Sequence, residues 1–141
     1  MPEKPVVVRD EPTSRWVVAH PGVEIRPMVE GLGTAIVLFR IAPGTRFESH
    51  THEFAELGVV ISGGGHYLFG SESRTVRDGD SFLIPPGVPH GFEVPPGGPP
   101  VVLIDISVTT RPGADSPTSS ELIQMTEVVV RPLGAPGLGT M

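Results

Sequence analysis

Apolar residues in this chain fall in short clusters separated by Gly and Pro, and no stretch free of both exceeds 14 residues, Thr118 to Arg131. That punctuation excludes long helices, coiled coils and helical repeats. Trp16–Ala19 and Val23–Arg26 predict two short strands around the turn His20-Pro21-Gly22. Thr34–Ile41 is apolar on both parities, so the strand it predicts is covered on both faces. One face would line a barrel, and the other would meet a second sheet or a second subunit. Gly63-Gly64-Gly65 predicts a hairpin connection, with His66–Phe69 returning from it. Ser73–Arg77, Ser81–Ile84, Gly91–Val94 and Val101–Thr109 complete the series of strands. Asp78-Gly79 is a turn, Pro85-Pro86-Gly87 a stiff loop, and 95–100 is entirely Pro and Gly. Leu122–Arg131 predicts a last strand on the strength of Val128-Val129-Val130, with a short helix capped by Ser119 or Ser120 as the alternative.

Ten or so short strands at this spacing indicate an all-β domain, a sandwich or a closed barrel. The chain divides into an N-terminal arm at 1–15, a barrel domain at 16–111 and a C-terminal extension at 112–141, whose last ten residues form a loose tail. Composition narrows the picture. Gly and Pro supply 35 of 141 residues, a share that borders on low complexity, yet 38% of the chain is hydrophobic and only 18% is charged. The Gly and Pro therefore punctuate a folded domain. Formal charge is -6, and no basic stripe exists to neutralise phosphates, which argues against nucleic acid as a partner. Cysteine is absent, which excludes disulfides, thiolate nucleophiles and Cys-ligated metals. The start MPEKPVVVRD has no signal-peptide core, and runs such as Val101–Ile104 are too short to span a bilayer. The expectation is a cytoplasmic protein with no membrane partner.

The candidate chemistry lies in two segments. The first runs from Gly44 to Gly63 and contains His50, His52 and Glu56. If the stretch is extended, these three share a parity with Phe54 and point the same way from one strand, leaving Glu53 on the solvated side. The second runs from Gly79 to His90 and places one more imidazole after the Pro-stiffened loop. Three imidazoles and a carboxylate make a mixed N/O set suited to one divalent transition metal: Fe, Mn, Ni, Co, Cu or Zn. Positions left open on such an ion would let it act as a Lewis acid or bind dioxygen.

These segments resemble the two motifs of the cupin superfamily. Gly44, His50, His52, Glu56 and Gly63 match every fixed position of G-x5-H-x-H-x3-E-x6-G. Gly79, Pro85, Gly87 and His90 match G-x5-P-x-G-x2-H-x3-N, with Val94 where Asn often stands. The resemblance implies a single antiparallel jelly-roll β-barrel of small size, with a metal held by His50, His52, Glu56 and His90. It also implies a homodimer, to which the doubly apolar Thr34–Ile41 strand and Val6-Val7-Val8 would contribute by sheet packing or strand exchange.

Asp105 sits within Val101–Val108, an apolar run in which a carboxylate must be paired or functional. It shares a parity with Leu103, Ser107, Thr109 and Arg111. Either it lines the cavity near the metal, or it hydrogen-bonds a loop. A narrower resemblance bears on this pair. Asp105 and Arg111 have the spacing of the D-x-F-x-x-x-R strand of KdgF-type cupins, which linearise unsaturated uronates, although Ser107 replaces the Phe and Glu56 replaces a Gln. It implies catalytic roles for Asp105 and Arg111 and a small, oxygen-rich substrate. Arg40, Arg46 and Arg74 are further candidates for gripping a carboxylate, with surface charge as the alternative. His20 falls at a surface turn, and His66 is either a cavity contact or structural. Phe47, Phe54, Tyr67, Phe82 and Phe92 would pack the barrel, with one or two of them shaping the pocket. Three functions compete: a metal-dependent lyase, isomerase or cyclase with Asp105 as acid/base, a metal-dependent dioxygenase, and a non-enzymatic module that binds a sugar or another small ligand.

Overall fold

In the computed structural model, the described residues are 4–8, 16–110 and 119–134, so Arg111 lies outside them. Among the described residues eleven strands run in chain order: β1 (Val17–His20), β2 (Val23–Gly31), β3 (Thr34–Ile41), β4 (Thr45–His50), β5 (Ala55–Ser62), β6 (Gly64–Phe69), β7 (Glu72–Arg77), β8 (Ser81–Ile84), β9 (His90–Glu93), β10 (Val101–Val108) and β11 (Val130–Pro132). One helix, α1 (Ser119–Val129), precedes β11. Six strands form one sheet in the order β1-β2-β3-β10-β5-β8, and five form the other in the order β11-β4-β9-β6-β7. Every pairing is antiparallel, and the chain passes repeatedly from one sheet to the other, as a jelly-roll barrel requires.

Alternation fixes which residues fill the barrel. On β3, Ala35, Val37, Phe39 and Ile41 are buried, and on β10 Val101, Leu103, Asp105 and Ser107 are. Phe47, Tyr67 and Phe92 meet them from the other sheet. The intervening residues, Ile36 and Leu38 on β3 with Ile104 and Ile106 on β10, face outward and are only half-buried, shielded by one another in register. Leu83, 62% exposed, and Ile61, 48% exposed, extend that apolar outer face.

The strand expected over Leu122–Arg131 is a helix for most of its length. Leu122, Thr126 and Val129 recur at helical spacing, and all three are buried. Val128, which counted towards a strand, points into solvent. Only from Val130 does the chain become extended, when it joins the edge of the second sheet opposite Phe47. The described part of the C-terminal extension therefore packs on the barrel.

Candidate metal centre

The first motif does not lie on one strand. β4 ends at His50, the chain turns through residues 51–54, and β5 begins at Ala55 in the opposite sheet. The shared parity of His50, His52 and Glu56 is thus not what brings them together. They converge because the crossing folds the segment around one point. His90 opens β9 as the direct cross-strand partner of His50, with ring centroids 4.4 Å apart. His52 lies within the crossing, 4.7 Å from His90 between centroids and stacked on Phe54 at 4.0 Å. The Gly87 N–H donates to the His52 carbonyl at 2.9 Å, tying the Pro-stiffened loop of the second motif to the first. Gly87 does this at φ 76°, a backbone conformation that favours glycine.

The three rings are oriented alike. His50 Nδ1 lies 2.7 Å from the Glu48 carbonyl, His52 Nδ1 2.9 Å from that of Phe54, and His90 Nδ1 2.8 Å from that of Val88. A carbonyl only accepts, so each Nδ1–H donates and each Nε2 is turned towards the common point. One nitrogen from each ring falls within 4.8 Å of the others. Burial lowers the pKa of His50 and His90, against the opposing pull of their backbone carbonyls. Both are therefore neutral near pH 7, with Nε2 lone pairs free to coordinate.

Glu56 stands beside this trio. Its Oε1 is 3.1 Å from His52 Nε2 and 3.8 Å from His90 Nε2. Asp105 faces the same space, since Ser107 pairs with Glu56 and Asp105 with Gly58 across the β5–β10 ladder. Asp105 lines the cavity, and its side-chain partner is Glu56. Burial, followed by the charge of Glu56 and a hydrogen bond to it, holds Asp105 well above the ordinary carboxylate range. Tyr67 is likewise raised, first by burial and then by the Glu56 and Asp105 carboxylates, and its hydroxyl hydrogen-bonds Glu56. Asp105 Oδ1 and His90 Nε2 are buried without a partner. The orphaned His90 Nε2 fits a cation held among the three imidazoles, and a donor set of imidazole and carboxylate suits a divalent transition ion.

The remaining sequence candidates lie elsewhere. Arg40 makes a bidentate pair with Glu24 and stacks on Trp16, Arg74 faces Glu72, and Arg46 lies 3.6 Å from Glu48. His20 bonds its own turn, and His66 pairs with Thr75 across β6–β7. Tyr67 belongs to the aromatic set expected to pack the barrel and shape the pocket, and it lines the cavity. One cavity residue escaped the sequence as part of a site. Met125, brought in by α1, could have been found from its place on the same helical face as Leu122 and Val129.

Residues 37–107, half of the chain, match the cupin domain family. The chain belongs to that family. H2HPP isomerase of Bacillus subtilis is 32% identical to this cupin over 81 residues, 57% of this chain and 34% of the relative, so the chain spans about a third of that protein's length. Among solved structures, KdgF from Halomonas sp. superposes with a TM-score of 0.62 at 23% identity, covering 69% of this chain and 89% of its own. The polyketide cyclase RemF from Streptomyces resistomycificus does so with a TM-score of 0.64 at 22% identity, covering 82% and 89%. At these identities the two structures attest the fold. No helix among the described residues is long and apolar enough to cross a membrane.

Proposed function

We propose that this cupin is a metal-dependent enzyme of the lyase, isomerase or cyclase type, with His50, His52, His90 and Glu56 holding one divalent transition ion and Asp105 acting as acid/base. The observation that carries the reading is the convergence of three imidazoles, each with Nδ1 committed to a carbonyl, on a buried carboxyl pair whose Asp105 Oδ1 has no partner. A bound ion would supply Lewis acidity to a carbonyl or hydroxyl of a small substrate. The chain's own residues handle the proton. Burial and the neighbouring Glu56 carboxylate favour the protonated form of Asp105, which lines the cavity, so it can give or take a proton there. The Tyr67 hydroxyl steadies Glu56 from the other side and keeps that carboxylate in place. Arg111, four positions beyond Ser107, is proposed on its spacing from Asp105 as a hydrogen-bond donor to a substrate oxygen. The names of H2HPP isomerase and of the cyclase RemF support non-oxidative rearrangement over oxygenation. We further propose a homodimer formed through the apolar outer face around Leu83, Ile61 and Ile104.

Two variants test this reading. His52→Ala should abolish stoichiometric metal binding, and elemental analysis showing full occupancy would sink the ligand assignment. Asp105→Asn should keep the metal and lose turnover by about a hundredfold or more, the usual worth of a positioned acid/base. Because Asp105 is raised in the folded state, its carboxyl opposes folding above its unfolded pKa of 3.8, so the Asn variant should also melt about 3 °C higher at neutral pH. Unchanged turnover would make Asp105 structural. Stoichiometric oxygen uptake during turnover would instead assign a dioxygenase.

A further inference from the structure

The cavity beside the imidazoles is divided by chemistry. His50, Glu56, His90 and Asp105 occupy one end. Tyr67 also lines the cavity, with its hydroxyl taken up by Glu56, as does Gly91, and the rest of the wall is Phe39, Ile41, Phe47, Phe92, Leu103 and Met125. Among the described residues no Lys or Arg lines it, and Arg40 and Arg46 are engaged elsewhere with Glu24 and Glu48. A polyhydroxylated acid placed here would leave several hydroxyls against hydrocarbon, at a cost of about 1–3 kcal/mol for each one left unpaired. Its carboxylate would find no counter-charge on that wall, a larger penalty again. An apolar body gains instead, at roughly 25 cal/mol for each Å² removed from water. The cavity holds about 40 Å³ and opens to solvent on one side, so it takes the head of a small molecule and not a chain of sugars.

We infer, resting on the metal-centre reading above, that the ligand is an uncharged, mainly apolar small molecule that turns a single oxygen function towards His50 and His90, and that Met125 selects for its apolar body. Met125 comes from α1, which lies outside the segment 37–107 that matches the family, so this wall is supplied by the chain's own extension. A thioether on a helix that packs against β1, β2 and β4 offers an adaptable apolar contact with no hydrogen-bonding demand. The substrate class therefore departs from the oxygen-rich one implied by the KdgF-type motif.

The test uses the full chain loaded with zinc and two probes of similar size, benzyl alcohol and D-galacturonate, with Kd values from NMR titration. Benzyl alcohol should bind at least about tenfold more tightly than D-galacturonate, as apolar burial against uncompensated hydroxyls demands. Met125→Lys should weaken benzyl alcohol by about tenfold, Met125→Gln should weaken it in the same direction, and Met125→Leu should stay within about twofold. The Gln variant decides the matter if the Lys variant does not fold. Equal or tighter binding of D-galacturonate, or benzyl alcohol affinity unchanged in the Gln variant, overturns the substrate class. Zinc content is read separately by elemental analysis. A zinc-free protein that still prefers benzyl alcohol overturns the metal reading alone, and a zinc-loaded protein that prefers D-galacturonate overturns the substrate class alone.

Discussion

The two ends of the cavity are built by different means. At the imidazole end, each ring is held by a carbonyl two residues away, Glu48 for His50, Phe54 for His52 and Val88 for His90. Orientation there is local, and the β4–β9 and β5–β8 pairings, with one bond from Gly87 to His52, bring the segments together. At the apolar end, the wall is assembled over long range from β3, β4, β9, β10 and a helix near the C-terminus. Local restraint suits ligands that must meet an ion within a few tenths of an ångström. Long-range packing suits a surface that sets shape and polarity, and it can be replaced without disturbing the ligands.

That contrast can be broken most forcefully at Leu122, which is 2% exposed and anchors α1. Leu122→Ala should cost about 3 kcal/mol of stability in chemical denaturation, the usual penalty for a buried Leu truncation, while metal stoichiometry stays at its wild-type value. Loss of metal together with stability would show that the ends are not independent. A smaller effect comes from pH in the metal-free protein. His50 and His90 have folded pKa values below the 6.5 of the unfolded chain. The unfolded state therefore takes up protons first, and stability is flat above about pH 6.5 and falls below it until the folded values are reached. Urea midpoints between about pH 8 and 5 should show this decline in the Asp105→Asn background, where the opposite contribution of the raised Asp105 carboxyl is removed, and it should vanish when both rings are also replaced. The smallest effect is expected at Gly87, where a Cβ would meet open space. Gly87→Ala should cost roughly 1 kcal/mol for the positive φ alone. Its metal affinity should drop more noticeably, because any backbone shift at position 87 is passed through the hydrogen bond to His52, and calorimetric titration would measure that.

Much of the imidazole end was legible in the sequence. The spacing of Gly44, His50, His52, Glu56 and Gly63, with Gly79 to His90, marked the ligands because turns and ligands there lie close together along the chain. The mechanism of their convergence was not legible. Alternation placed His50, His52 and Glu56 on one strand, whereas a crossing between sheets separates them. Period-two reasoning assumes an extended chain and has no means of seeing where a strand leaves its sheet. The helix at Ser119–Val129 was obscured because the β-branched run at Val128 favours strands locally. The buried face of Leu122, Thr126 and Val129 outweighed that preference.

By itself, then, the sequence determined the all-β architecture, its turns and the identity of the metal-ligand candidates. These follow from short-range geometry: positive-φ glycines, fixed-φ prolines and the spacing between them. Tertiary structure alone decided that Asp105 meets Glu56, that Tyr67 closes the same carboxyl pair and that Met125 completes the wall. Each of those contacts joins residues far apart in the chain, so it depends on strand register and helix docking, which the global burial of apolar surface sets and no local pattern records.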